Sequence, residues 1–266
     1  MERRAIFITG AASGIGLATA KRFASEGWLV GLSDIDEPGL KTALAAIGGD
    51  NAGFAVRHDV RQAGEWERAL DAFVEAAGGR LDVLVNNAGI ARYGWFTEQT
   101  PADFSDQIDI NLRGVVLGAY LGHKRLKHTP GSRLINIASA AALSGSPRLA
   151  VYSATKFAVR GLSEALDIEF MRSGVRVSCI EPTVIETPLL DKASAPGGPN
   201  FREAISRGIG AGLPVEAAAE VIWRAAHDEA LHYPVGDSPA AMLEEINPRI
   251  EASRTLWKQM FDEGRV

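Results

Sequence analysis

Cysteine is nearly absent. Cys179 stands alone in 266 residues, so no disulfide framework can form, and its setting in Val177-Ser178-Cys179-Ile180 predicts a buried structural thiol. No sign of charge is in large excess. The 28 lysines and arginines against 33 acidic residues leave a net charge of −5, too weak a field to gather a polyanion, and nucleic acid is not expected as a partner. No apolar run is long enough to span a bilayer. Met1-Glu2-Arg3-Arg4 leads into a strand without an h-region or cleavage site, so the expectation is a cytoplasmic protein with no membrane attachment. The five histidines are scattered without ligand spacing, and no metal is expected. Apolar residues, by contrast, make up 46% of the chain, enough for one large core and a single domain over residues 1–266.

Short apolar runs alternate with helical stretches. Residues 5–8, 28–33, 52–56, 81–85, 133–138, 175–180 and 231–235 read as strands, while 17–24, 38–47, 62–77, 101–126, a stretch from Ala150 and 214–228 read as helices. Such alternation predicts an α/β fold of Rossmann type, a doubly wound parallel sheet of about seven strands with helices on both faces. Its ligand crevice lies at the carboxyl ends of the strands. Pro234 assigns the last strand to an edge. The basic run His123 to His128 ends a helix, where cations complement the dipole. Residues 239–262 form an amphipathic tail helix carrying Met242, Leu243, Ile246, Ile250, Leu256, Trp257 and Met260. That stripe packs on its own domain or on another subunit, and a homo-oligomer, dimer or tetramer, is expected.

Several strand ends carry residues of special chemistry. The first strand turns into a helix through Thr9-Gly10-Ala11-Ala12-Ser13-Gly14-Ile15-Gly16. Glycine permits positive φ and close approach, and the free N–H groups of a new helix attract an anion, so this turn is either a tight connection or a pyrophosphate site. The second strand delivers Asp34, which reads as a ribose-binding carboxylate that repels a 2′-phosphate, or as an ordinary turn aspartate. Asp59, followed by Val60, falls where the third strand meets the adenine, although a surface aspartate fits as well. The fourth strand closes on Asn86-Asn87-Ala88-Gly89, a backbone held open against a ligand. Asn111, inside an apolar helix, has to tie down backbone or hold water. Ser139 follows the fifth strand, and Tyr152 and Lys156 share one helix face at i and i+4.

The glycine turn, Asn86-Asn87-Ala88-Gly89, Asn111, Ser139 and Tyr152-Ser153-Ala154-Thr155-Lys156 together resemble the short-chain dehydrogenase/reductase family in order and spacing, over residues 5 to 190. The resemblance implies that Tyr152 exchanges a proton with the substrate oxygen, that Lys156, with the positive nicotinamide ring nearby, favours the phenolate and also holds the nicotinamide ribose, that Ser139 hydrogen-bonds the substrate oxygen, and that Asn111 positions a relay water. It implies a cofactor site of Gly10, Ser13, Gly14, Ile15, Gly16, Asp34, Asp59, Val60, Asn87, Ala88, Gly89, Tyr152, Lys156 and Pro182, with Ile185 and Thr187 on the nicotinamide amide. One departure stands out: Thr183 follows Pro182 where the family usually has glycine, which puts that turn in question.

The activity expected is hydride transfer between NAD and a secondary alcohol or ketone. An NADPH-dependent ketone or acyl-thioester reductase and a non-catalytic dinucleotide-sensing regulator are the alternatives; Asp34 speaks against the first and the complete Asn111, Ser139, Tyr152, Lys156 set against the second. Residues 189–213 are rich in glycine and proline and read as a lid or as a surface excursion. With Tyr93, Trp95 and Phe96 they imply a small-molecule substrate with an apolar portion. Arg92 and Arg148 either meet an acidic substrate or are solvated.

Overall fold

A computed structural model describes residues 3–194, 200–208 and 211–263. The strands are β1 (Ala5–Thr9), β2 (Leu29–Asp34), β3 (Gly53–Arg57), β4 (Val83–Asn86), β5 (Arg133–Ile137), β6 (Arg176–Pro182) and β7 (His232–Val235). The helices are α1 (Gly14–Ser25), α2 (Glu37–Ala46), α3 (Ala63–Ala76), α4 (Pro101–Ile108), α5 (Gly114–Leu126), α6 (Ala150–Glu169), α7 (Leu189–Lys192), α8 (Phe201–Gly208), α9 (Val215–Ala225) and α10 (Asp237–Asp262).

All seven strands join one sheet in the order β3-β2-β1-β4-β5-β6-β7, every pairing parallel. Alternation along β1 explains the two layers. Ile6 and Ile8 face a cluster with Phe23 of α1, Leu40 of α2 and Ile222 of α9, while Ala5 and Phe7 face Trp66 and Phe73 of α3 and Leu121 of α5. Every β1 residue is buried, as a strand covered on both faces requires. The strand order reverses between β1 and β4, which opens a crevice beside Thr9 and Asn86. β7 is an edge strand, as its proline requires.

The stretch 101–126 is not one regular helix. Thr100 starts α4 with a reciprocal capping box to Asp103, but residues 109–113 form a π turn before α5 resumes. At the other end of α5, Arg125 bonds Asp71 and His123 stacks on Phe170, so the basic run is absorbed by the fold. Thr183 proves compatible with its turn. Arg148 is the sole non-glycine with positive φ among the described residues, and Gly236, at φ 102°, lies where a Cβ would come within 2.7 Å of the Thr183 methyl. Among the described residues no helix is long and apolar enough to cross a membrane.

Candidate active site

The glycine turn is built by close approach. Gly10 (φ 66°) and Gly14 (φ 55°) take left-handed conformations, and a Cβ on Gly16 would stand 2.3 Å from the Gly10 carbonyl oxygen. Asn87 holds this geometry from β4: its Nδ2 donates to the carbonyls of Thr9 (2.8 Å) and Gly10 (3.2 Å), and the N–H groups of Asn87 and Ala88 both donate to Thr9 Oγ1 at 3.0 Å. Ser13 is the N-cap of α1 yet makes no side-chain cap bond, leaving an exposed hydroxyl beside the first free N–H groups, those of Gly14, Ile15 and Gly16. Asp34 Oδ2 accepts from the Ala12 N–H at 3.1 Å, so the carboxylate at the end of β2 is fixed against the turn. Thr187 reaches the same place from beyond β6, since a Cβ on Gly14 would lie 3.2 Å from its methyl. These features fit an extended dinucleotide laid across β1 and β4, phosphates toward the start of α1.

Two adenine-end assignments look different in three dimensions. Asp59 is locked to Arg61, whose guanidinium spans both carboxylate oxygens (2.8–3.1 Å) and holds the carboxyl below its ordinary range. The Val60 side chain belongs to the core and packs where Gly114 has no Cβ, so only its backbone faces the crevice.

The second cluster lies at the carboxyl ends of β4 and β5 and on α6. Asn111 is fully buried in the π turn; its amide pairs with both backbone groups of Ile90 at 2.8 Å and reaches Thr155 Oγ1 at 3.3 Å. Of the two tasks open to it, tying down backbone is the one visible in the structure, and the widened turn is what lets the side chain point at the strand end. A Cβ on Gly89 would come within 3.3 Å of Asn111 Oδ1 and 3.7 Å of Lys156 Nζ, so those groups converge on a bare backbone. Lys156 Nζ donates to the Ile137 carbonyl at 2.8 Å, and burial lowers its pKa to about 8. Ser139 is near enough to Tyr152 to favour the ionised phenol.

Within the chain itself two opposed influences act on the phenol. Desolvation, the largest influence on Tyr152, raises its pKa above the ordinary value, and Ser139 only draws it back. Lys156 Nζ sits 5.6 Å from the ring centroid with a hydrogen bond to another oxygen, too indirect to reverse this by itself.

Tyr152 packs against an apolar cluster with Tyr93, Leu149, Leu190 and Phe201, the Tyr93 and Phe201 rings 4.6 Å apart. Arg202 clamps α8 by pairing with Glu186 and Asp191. Pro196-Gly197-Gly198-Pro199 and Gly210, part of the glycine and proline signal for a lid, lie outside the described residues. Ile185 is buried and bridges to Leu213.

A family model described as short chain dehydrogenase matches residues 4–196. The chain belongs to the short-chain dehydrogenase family. Among its relatives, D-threitol dehydrogenase of Mycolicibacterium smegmatis is 37% identical over 235 residues, 87% of this chain and 89% of the relative. A 3-alpha-(or 20-beta)-hydroxysteroid dehydrogenase of Mycobacterium bovis is also 37% identical, over 83% and 82%. A short chain dehydrogenase/reductase from Burkholderia phymatum, solved in complex with NAD, superimposes with a TM-score of 0.82 at 26% identity, covering 95% of this chain and 96% of that one.

This short-chain dehydrogenase also has a charge network assembled from residues far apart in the chain. His232 on β7 meets Glu181 Oε1 of β6 at 2.6 Å and Glu164 of α6 at 3.5 Å, and Glu181 also accepts from the Tyr233 N–H. Donor atoms of Cys179, Glu181 and His232 lie within 4.8 Å of one another, so the one metal-like grouping among the described residues comes from residues up to 53 positions apart. Burial would lower the His232 pKa, but Glu164 and Glu181 outweigh it and raise it to about 9. The ion pairs to Glu164 and Glu181 favour the imidazolium.

Stability should follow that proton. His232 has a folded pKa above its unfolded value, so its contribution is complete below pH 6.5 and is lost as pH rises through 9. A shift of this size corresponds to on the order of 3 kcal/mol. Melting temperature should therefore fall on going from pH 7 to 9.5, and the slope should flatten in His232→Gln; equal slopes would refute the assignment. His58, lowered to about 4 chiefly by burial, adds the opposite limb: its contribution is complete above pH 6.5 and lost as pH falls toward 4.

Proposed function

We propose that this protein is an NAD-dependent dehydrogenase that oxidises a secondary alcohol, or reduces the corresponding ketone, with Tyr152 as general acid/base. One observation carries the reading: Tyr152, its pKa drawn down by Ser139, packs against an apolar cluster, while Lys156 of the same helix and Asn111 flank the bare backbone at Gly89. Gly10, Ser13, Gly14, Ile15 and Gly16 would hold the pyrophosphate, Asp34 the adenosine ribose, and Asp59 and Val60 the neighbourhood of the adenine. Asn87, Ala88, Gly89, Lys156, Pro182, Ile185 and Thr187 would line the nicotinamide half. Bound NAD supplies a hydride acceptor and a positive ring.

The chain's own residues handle the oxygen and its proton. Ser139 orients the carbinol hydroxyl toward Tyr152, and Tyr152 takes its proton in oxidation and returns one in reduction. Lys156, with its pKa lowered to about 8, is poised to exchange protons near neutrality. Asn111 fixes Ile90 and leaves the Ile90 carbonyl, the Asn111 amide and Lys156 as neighbours able to hold a relay water. Because burial raises the phenol, the fall in its pKa has to come from cations gathered when the cofactor is in place.

NAD rather than NADP is favoured by Asp34, whose carboxylate stands at the end of β2 and is fixed against the turn by the Ala12 N–H. Asp34→Ser should shift the ratio of kcat/KM for NAD over NADP toward NADP by at least about tenfold, the factor expected for ~1.4 kcal/mol of charge repulsion removed. An unchanged ratio would sink the cofactor assignment. The reading further takes residues 1–266 as one catalytic domain, 189–213 as a lid held by Arg202, and the enzyme as a cytoplasmic homo-oligomer. Support for association comes from Leu256 and Trp257 of α10, left 55% and 46% exposed. The test of the whole is a panel of aliphatic, aromatic and hydroxy-acid secondary alcohols read by NADH absorbance. Tight NAD binding without turnover of any of them would favour the sensing regulator.

A further inference from the structure

Three arginines stand next in the chain to members of the apolar cluster, Arg92 beside Tyr93, Arg148 beside Leu149 and Arg202 beside Phe201, and two are neutralised. Arg92 pairs with Asp103 and Asp106, and Arg202 with Glu186 and Asp191. Arg148 has no carboxylate partner among the described residues. Its guanidinium lies over the Trp95 ring, 4.4 Å from the centroid, and donates one hydrogen bond, from Nη1 to Tyr93 Oη at 3.2 Å. That leaves most of a five-donor fork unclaimed.

The backbone goes out of its way to put it there. Arg148 adopts φ 65°, in the left-handed region that long side chains rarely enter, and its carbonyl is held by the Gly94 N–H at 3.0 Å. Backbone kept in such a state marks a place where position matters. The next residue, Leu149, packs in the same apolar cluster as Tyr152, and Tyr93, the guanidinium's partner, packs in it against Phe201. One half-buried cation therefore stands beside the apolar cluster that touches Tyr152, held by aromatic rings.

We infer that Arg148 is a specificity residue that receives a carboxylate on the far side of the substrate from its reacting hydroxyl. The physiological substrate is then a hydroxy acid or keto acid with an apolar stretch between its two polar ends. A planar fork matches a carboxylate in two parallel bonds, and stacking on Trp95 holds that plane without consuming its donors. This rests on the dehydrogenase reading above.

The experiment measures NAD-linked oxidation of 3-hydroxybutyrate, 5-hydroxyhexanoate and 7-hydroxyoctanoate, each against its methyl ester. For at least one chain length the acid should exceed the ester in kcat/KM by tenfold or more. Arg148→Met, which keeps an apolar stem over Trp95, should collapse that ratio to near one through the KM of the acid, and Arg148→Lys should restore part of it. Arg148→Gly, suited to the left-handed backbone, repeats the measurement if the methionine variant folds poorly. Acid and ester equal in the wild type, or both lowered together in the variants, overturns the inference and leaves the dehydrogenase intact. No turnover of any secondary alcohol overturns both.

Discussion

Tyr152→Phe should lower turnover by about 10²–10⁴-fold, the range that a positioned acid or base contributes, while NAD affinity stays close to wild type. The separation is sharp because the ring and the hydroxyl have different surroundings. The ring packs on the apolar cluster and phenylalanine keeps that shape, whereas the hydroxyl is the group that Ser139 acts on. Phenylalanine strands no buried donor, since Ser139 is half-buried and its oxygen keeps the bond it accepts from the Ala141 N–H at 3.1 Å. Stopped-flow turnover and a fluorescence titration with NADH separate chemistry from binding. Residual activity within tenfold of wild type would show that another group moves the proton.

The second large effect belongs to the glycine turn. A methyl on Gly16 would stand 2.3 Å from the Gly10 carbonyl oxygen and 2.7 Å from Asn87 Nδ2, distances no side chain tolerates. Because the first neighbour is backbone, relief requires α1 to draw away from the turn, which breaks the Asn87 bonds and spreads the N–H groups meant for the phosphates. Gly16→Ala should weaken NADH binding by at least about 30-fold, equivalent to ~2 kcal/mol. Gly161→Ala on α6, where a Cβ meets nothing within 4 Å, is the control and should bind normally, with melting unchanged or raised by up to ~1 kcal/mol of helix propensity. Equal behaviour of the two variants would remove the glycine turn from the site.

Much of this molecule was legible before folding. The strands of β1, β2, β4, β5 and β6 are buried on both faces and so appear as short apolar runs, a signal confined to neighbouring residues. Tyr152 and Lys156 could be placed together because helical spacing alone puts i and i+4 on one face. Other features were invisible for an equally physical reason. Nothing local breaks the stretch 101–126, and the π turn at Asn111 answers to Ile90, 21 residues away. The Thr183 substitution looked awkward until Gly236, 53 positions later, supplied the missing space.

The sequence by itself determined the alternation of strand and helix, the glycine turn and the order of the chemical residues, because each depends on backbone conformation or periodicity within a few positions. Only the tertiary structure decided which charges are spent and which remain. It joined Asp59 to Arg61, buried His232 between Glu164 and Glu181, and neutralised Arg92 with Asp103 while leaving Arg148 on Trp95. Coulomb energies and hydrogen bonds depend on distance through space, and the composition of a chain does not carry those distances.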